Sequence, residues 1–223
     1  MPSYAAVCFD LDDTLCRPER SPDAILQEAF ARADCEPYCT AADCRAVVPN
    51  LQPTSSDREF YERLFAEAAR RADIEPQSAP RVAESYLAVA DPTAVRFHDH
   101  AKQVLKSIAE TIPVALVTNG LRRTQSQKLA TLGVTDTFDA TVFADPDGGV
   151  PPKPDPKPFE RALETLDVSA SETLHVGDSV PADVAGAARA GLDTAWLPRG
   201  DDGEPSTAPT YVLSSLADLS SIV

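Results

Sequence analysis

Val7-Cys8-Phe9-Asp10-Leu11-Asp12-Asp13-Thr14-Leu15 carries a short apolar run straight into three carboxylates. Acids at the end of a hydrophobic strand repel one another, by on the order of 4 kcal/mol for a pair at intermediate dielectric. A divalent cation held by hard oxygen ligands relieves that repulsion. The alternative is a solvated turn that binds nothing. A calcium loop of the helix-loop-helix kind does not fit, because its fifth, sixth and twelfth places hold Thr14, Leu15 and Ser21 instead of Asp or Asn, Gly and Glu.

The chain has 223 residues, 43% hydrophobic and 25% charged, a globular composition long enough for one domain with an insertion. The net charge of −15 repels nucleic acid and anionic membrane, so neither is an expected partner. An anionic substrate then needs local positive charge or metal. The acidity is spread along the chain and Arg outnumbers Lys, a texture that resembles cytosolic proteins of salt-loving archaea. No secretory signal precedes the first strand, and no apolar run approaches the ~20 residues that span a bilayer. The odd set Cys8, Cys16, Cys35, Cys39 and Cys44 is read as reduced and the protein as cytoplasmic. Cys35, Cys39 and Cys44 cluster as a zinc site would. Without a Cys-x2-Cys pair or a nearby His they read as small packing residues.

After the acidic turn the texture is helical. Ser21-Pro22 opens a helix over 24–33, Ser56 and Glu59 suggest a capping box, and 82–89 is another helix. Pro37, Pro49, Pro53, Pro76 and Pro80 punctuate this stretch, and no strand is expected in it. Beyond Pro92 strands and helices alternate: helix 102–110, strand 113–117, helix 123–132, strand 140–143, helix 156–166, strand 173–176, helix 181–190, strand 194–197 and a short strand at 211–213. Residues 199–209 read as a surface loop. Continuous apolar strands between helices predict an α/β core, a Rossmann-like parallel sheet, formed by 1–16 and 93–223, with an inserted helical cap at 17–92.

Ligands of such sheets bind at the carboxyl ends of the strands. There the sequence places Asp10 and Asp12, Thr118-Asn119-Gly120, and Gly177-Asp178-Ser179 with Asp183, while Lys153 stands in the stiff loop 152–156. Asp10, Asp178 and the backbone carbonyl of Asp12 are candidate Mg2+ ligands. Asp10 is a candidate nucleophile toward phosphorus, and Asp12 a candidate general acid and base. Thr118, Asn119 and Lys153 are candidate binders of phosphoryl oxygens, and Asp183 a support for Lys153 or for a metal-bound water. Each piece alone also reads as an ordinary turn, loop lysine or helix cap.

The set resembles the haloacid dehalogenase-like hydrolases, in their branch with a helical cap after the first motif. The resemblance rests on Phe9 to Leu15, on Val117-Thr118-Asn119-Gly120 with Gln125 and Lys128-Leu129, on Lys153-Pro154-Asp155-Pro156 with Phe159, and on Val176-Gly177-Asp178-Ser179 with Asp183 and Gly186-Ala187. The family implies a mobile cap and Mg2+-dependent phosphoryl transfer through an aspartyl-phosphate. Asp10 then resembles the nucleophile, Asp12 the acid/base, Thr118 and Lys153 the phosphate binders, and Asp178 the metal ligand. Loop 145–152 departs from the pattern in its Pro and Asp content. The expected activity is phosphatase action on a small phosphorylated metabolite. A sugar phosphomutase, a 2-haloacid dehalogenase and a non-catalytic binding protein are the alternatives; the dehalogenase needs no acid at Asp12. Arg17, Arg20, Arg45, Arg58, Tyr38 and Tyr61 are candidate substrate contacts in the cap. His98 and His100 read as hinge or helix-start residues, because the expected mechanism uses no histidine.

Overall fold

Strand β1 (Ala6–Phe9) is buried along its whole length. In the computed structural model, which describes residues 4–199 and 205–223, a short strand β2 (Cys16–Pro18) follows the acidic turn. Helices α1 (Pro22–Arg32), α2 (Ala41–Val47), α3 (Asp57–Arg71) and α4 (Ala79–Val89) come next. The chain returns through β3 (Val95–Phe97), α5 (Ala101–Ala109), β4 (Val114–Thr118), α6 (Arg122–Leu132), β5 (Ala140–Phe143), α7 (Lys157–Leu166), β6 (Thr173–Gly177), α8 (Ala185–Arg189), β7 (Asp193–Trp196) and β8 (Tyr211–Val212). It forms two compact units, Met1–Arg17 with Val95–Val223, and Pro18–Ala94.

The first unit carries a six-stranded parallel sheet in the order β5-β4-β1-β6-β7-β8. Its period-2 side chains feed two apolar layers, as a sheet covered on both faces requires. Val7, Phe9, Leu116 and Leu174 enter one layer with Val104, Leu105 and Leu129. Cys8, Ala115 and Val117 enter the other with Phe159, Leu163 and Ala187. β1 lies between β4 and β6, so the three strands that end in site residues are neighbours.

The second unit has its own core, in which Leu26, Phe30, Phe65, Val82 and Ala83 meet. Ser21 caps α1 by accepting the Ala24 N–H at 3.2 Å. The box expected at Ser56 is half formed. The Ser56 hydroxyl accepts from the Glu59 N–H, but the Glu59 carboxylate turns to Arg63 at 2.6 Å. A reciprocal box stands instead at Thr40 and Asp43, before α2.

Two further departures have local causes. β2 and β3 pair only with each other, and three-residue strands are too short for an alternation signal. The helix expected over 181–190 begins with a wider π-type turn, Val180–Val184. There Pro181 has no N–H to give and the Val184 N–H reaches Ser179 O at 3.2 Å. Of the loop expected at 199–209, residues 200–204 lie outside the described residues.

Candidate active site

Phe9 is paired with both Leu116 and Val176, so the residues just beyond them emerge side by side at the carboxyl edge. The Asp10 N–H donates to Val176 O at 2.9 Å. The chain then turns tightly: the Leu15 and Cys16 N–H groups return to Leu11 O, and Asp13 takes φ 57°. Arg199 braces this turn by donating to the carbonyls of Asp13 and Thr14.

Lys153 is 4% exposed and spends all three ammonium protons inside the site. It donates to Asp10 Oδ1 at 2.6 Å, Asp183 Oδ1 at 2.6 Å and Val117 O at 2.8 Å. Its reach is set by loop 145–152, which closes on itself through a two-way backbone bridge between Asp145 and Val150, with Gly149 at φ 80°. The Asn119 amide fixes the lysine's backbone, accepting the Lys153 N–H at 2.7 Å and donating to Lys153 O at 3.0 Å. The Asn119 side chain thus ties strand β4 to the loop, and its backbone N–H and second Nδ2 proton remain for phosphoryl oxygens.

Asp183 is almost wholly buried. Burial works to raise its pKa, but Lys153 and the His175 imidazole, 3.0 Å away through Nε2, hold it below the ordinary carboxylate range. Its second oxygen accepts the Ser179 N–H at 3.0 Å. Gly177 makes room for this arrangement, since a Cβ there would stand 2.2 Å from Asp183 Cγ. Asp10 shares its lysine with Asp183. Burial pushes the Asp10 carboxyl up to about 7, the Lys153 charge pulls it down, and the charges of Asp183 and Asp12 push it up again.

Asp12 is gripped from α6. Lys128 Nζ lies 2.6 and 2.8 Å from its two oxygens. Gln125 Nε2 divides its two protons between Asp12 Oδ2 at 2.8 Å and Thr118 Oγ1 at 2.7 Å. The orientation of that amide follows, because an oxygen there would face a carboxylate. Gly120 leaves space for it: a Cβ on Gly120 would lie 2.3 Å from Gln125 Cδ. Thr118 Oγ1 also accepts the Gly120 N–H at 3.4 Å, so the hydroxyl proton of Thr118 is left to donate.

Asp178 accepts from the Thr14 hydroxyl at 3.0 Å, and its carbonyl accepts from the Trp196 indole at 2.7 Å. Burial, then the charges of Asp183, Asp10 and Asp13, push its carboxyl up to about 8. One ligand oxygen each from Asp10, Asp178 and Asp183 lies within 4.8 Å of the others, the one such group among the described residues. Asp10 and Asp178, crowded and desolvated carboxylates with upward-shifted pKa values, suit a hard cation. The donor set thus fits a divalent ion. Asp183, already holding Lys153, His175 and Ser179, has less to offer it than Asp10 and Asp178.

The site thus gathers Asp10, Asp12, Thr118, Lys153, Asp178 and Asp183. From the sequence, Gln125 and Lys128 carry the family resemblance but no task. Their available signal was two long polar residues three apart on a helix whose apolar stripe, Leu129 and Leu132, includes Gln125. His100 stands at the start of α5 in the left-handed region, φ 65°, and the His98 N–H binds Leu15 O. Among the helical unit's candidates, Arg20 and Arg58 pair with Glu28 and Glu62 at the surface. Tyr38 packs on Phe30 and Tyr61 on Tyr86, ring centroids 4.7 and 4.4 Å apart.

The sequence matches the haloacid dehalogenase-like hydrolase family over residues 4–191. A phosphoserine phosphatase of Thermus thermophilus is 31% identical, with 95% of this chain and 96% of that protein covered. A glyceraldehyde 3-phosphate phosphatase of Methanopyrus kandleri is 29% identical, over 90% of this chain and 87% of that one. Among solved structures, the magnesium-bound hydrolase YfnB of Bacillus subtilis superposes with a TM-score of 0.75 at 24% identity, covering 99% of this chain and 98% of that one. No helix among the described residues is long and apolar enough to cross a membrane.

Proposed function

This chain belongs to the haloacid dehalogenase-like hydrolases, and on that premise we propose that it is a Mg2+-dependent phosphatase of a small phosphorylated metabolite. The observation that carries the reading is the second carboxylate: Asp12, two residues past Asp10, held by Lys128 and Gln125. Haloacid displacement needs one carboxylate nucleophile and no such acid, whereas phosphoryl transfer to an alkoxide leaving group needs both. The curated relatives named above are phosphatases, in keeping with this choice.

Asp10 attacks phosphorus and the P–O bond to the leaving group breaks. Asp12, protonated at that moment, gives its proton to the departing alkoxide. Asp12 then takes a proton from water, which attacks the aspartyl-phosphate and frees Asp10 and inorganic phosphate. Phosphoryl oxygens carry charge that must be stabilised in a chain otherwise strongly anionic: the Thr118 O–H would donate to them, and the Lys153 ammonium, bonded to Asp10, Asp183 and Val117, would turn a proton from Asp10 toward them as that carboxylate attacks. Asp10 and Asp178, with the Asp12 carbonyl, would hold the cation. When bound, it supplies charge neutralisation that lets two carboxylates and a phosphate share one pocket.

Hydrolysis of p-nitrophenyl phosphate in high KCl is the direct test. EDTA is expected to abolish it and excess Mg2+ to restore it. Hydrolysis unaffected by chelation overturns the metal assignment. The same metal removal has a readout apart from turnover. The folded-state pKa values of Asp10 and Asp178, about 7 and about 8, lie above the ordinary carboxylate value of 3.8. The native state therefore binds more protons than the unfolded one between these limits, and stability falls as pH rises. The lowered pKa of Asp183 contributes a constant amount over that range. Chelated protein should thus melt lower at about pH 8 than at about pH 5, and Mg2+ should raise Tm more at the higher pH.

Lys128→Met tests the grip on Asp12. It should lower kcat by about 10²-fold through misplacement of the acid, with KM little changed. Asp12, the partner left behind, is 45% exposed and stays hydrated, so no buried charge is abandoned and Tm should move little. A kcat within a factor of about two of wild type would free Asp12 from this dependence.

A further inference from the structure

Cys39 and Cys44 bracket the capping box of α2, at the positions just before the cap and four residues into the helix. Those two places normally carry an apolar staple across a helix start. Here they carry two thiols whose sulfur atoms are 3.7 Å apart, hydrogen-bonded to each other, and neither residue is fully buried. Simple apolar packing would explain small side chains at these places. It does not call for two reactive groups in contact at a partly exposed position.

We propose that Cys39 and Cys44 are a redox pair that closes to a disulfide by exchange with a low-molecular-weight disulfide, locking the start of α2. The Cys44 thiolate attacks one sulfur of the external disulfide. That S–S bond breaks, and the released thiolate takes up the proton Cys44 gave away. Cys39 then gives up its proton and attacks Cys44 Sγ, and the mixed disulfide releases the second external thiol. Two protein thiols are oxidised and one external disulfide is reduced to two thiols. Either sulfur can attack first, since the two thiols share one hydrogen bond in which either can be the donor, and the exchange is the same with Cys39 and Cys44 interchanged.

The remaining cysteines are set apart. Cys8 and Cys16 are buried, and the Cys35 thiol turns to the Glu36 carbonyl at 3.6 Å. The three clustered cysteines also make no three-ligand metal group among the described residues.

The test uses the full chain, reduced, freed of reductant and exposed to oxidised glutathione. After quenching, thiols are counted by maleimide labelling in denaturant and the intact mass is measured. Two of the five thiols should disappear with a mass loss of two hydrogens, and dithiothreitol should restore both. Cys39→Ser and Cys44→Ser should each block the closure, while Cys35→Ser should leave it intact. Retention of all five thiols overturns the proposal. So does a wild-type product that is only a glutathione adduct, or closure that survives in Cys39→Ser or Cys44→Ser through Cys35.

Discussion

Asp10→Asn is expected to lose phosphatase turnover by roughly 10⁴-fold or more, the scale seen when a covalent nucleophile is removed. Asparagine is isosteric, and its carbonyl can still accept from Lys153. Only the negative charge and the nucleophilic oxygen are lost. The fold should not suffer. Burial pushes the Asp10 carboxyl up to about 7, so above that pH the charged form opposes folding in the metal-free protein. The variant, free of that charge, should melt no lower than wild type in EDTA at about pH 8. Dead enzyme with an intact melting curve assigns the chemistry to Asp10. Turnover within tenfold of wild type would remove Asp10 as nucleophile.

Lys153→Met should act on both activity and stability. Breaking a buried ion pair by deleting one partner costs about 3–5 kcal/mol, because the abandoned charge stays desolvated. Here two carboxylates, Asp10 and Asp183, lose one cation at 2.6 Å each. At about 2–4 °C per kcal/mol for a chain of this size, the fall in Tm is easily measured. Turnover should drop at least about 10²–10³-fold with the loss of a donor to developing charge. The pH dependence gives the sign. The lowered pKa of Asp183 contributes stability that is present above the ordinary carboxylate range and is lost as pH falls. Wild type and variant should therefore differ most near neutrality and converge toward acid. Equal melting of the two proteins near neutral pH would refute the ion-pair account. Lys153→Arg should not rescue, since a planar guanidinium cannot meet three acceptors arranged around a compact ammonium.

The sheet and its strand-end residues were legible because they rest on local signals. Apolar runs end in Asp10, Thr118 and Asp178, and Pro and Gly mark the breaks between elements. Lys153 could be named from its stiff loop. Asp183 could be named as a partner for it, but Asp10 and Val117 could not, since they meet it only through the order of the strands. The bond of the Asn119 amide to the backbone of a residue 34 positions away was equally hidden. Gln125 and Lys128 were visible as letters, but their common target, Asp12, lies more than a hundred residues earlier. β2 and β3 are recognisable only as a pair. Local periodicity therefore reveals elements and their ends, while side-chain partnerships across the sheet depend on three-dimensional register.

The place of β1 in the middle of the sheet has a consequence for biosynthesis. Its two hydrogen-bonding neighbours, β4 and β6, begin at Val114 and Thr173. A ribosome adding about 5–20 residues per second leaves Ala6–Phe9 without a partner strand for several seconds after it emerges. Throughout that interval the nascent chain presents an unpaired, wholly apolar segment, the kind that a holding chaperone recognises. The strand that leads into Asp10 is thus among the first parts of the sheet to be translated and must wait for later strands to complete its pairing.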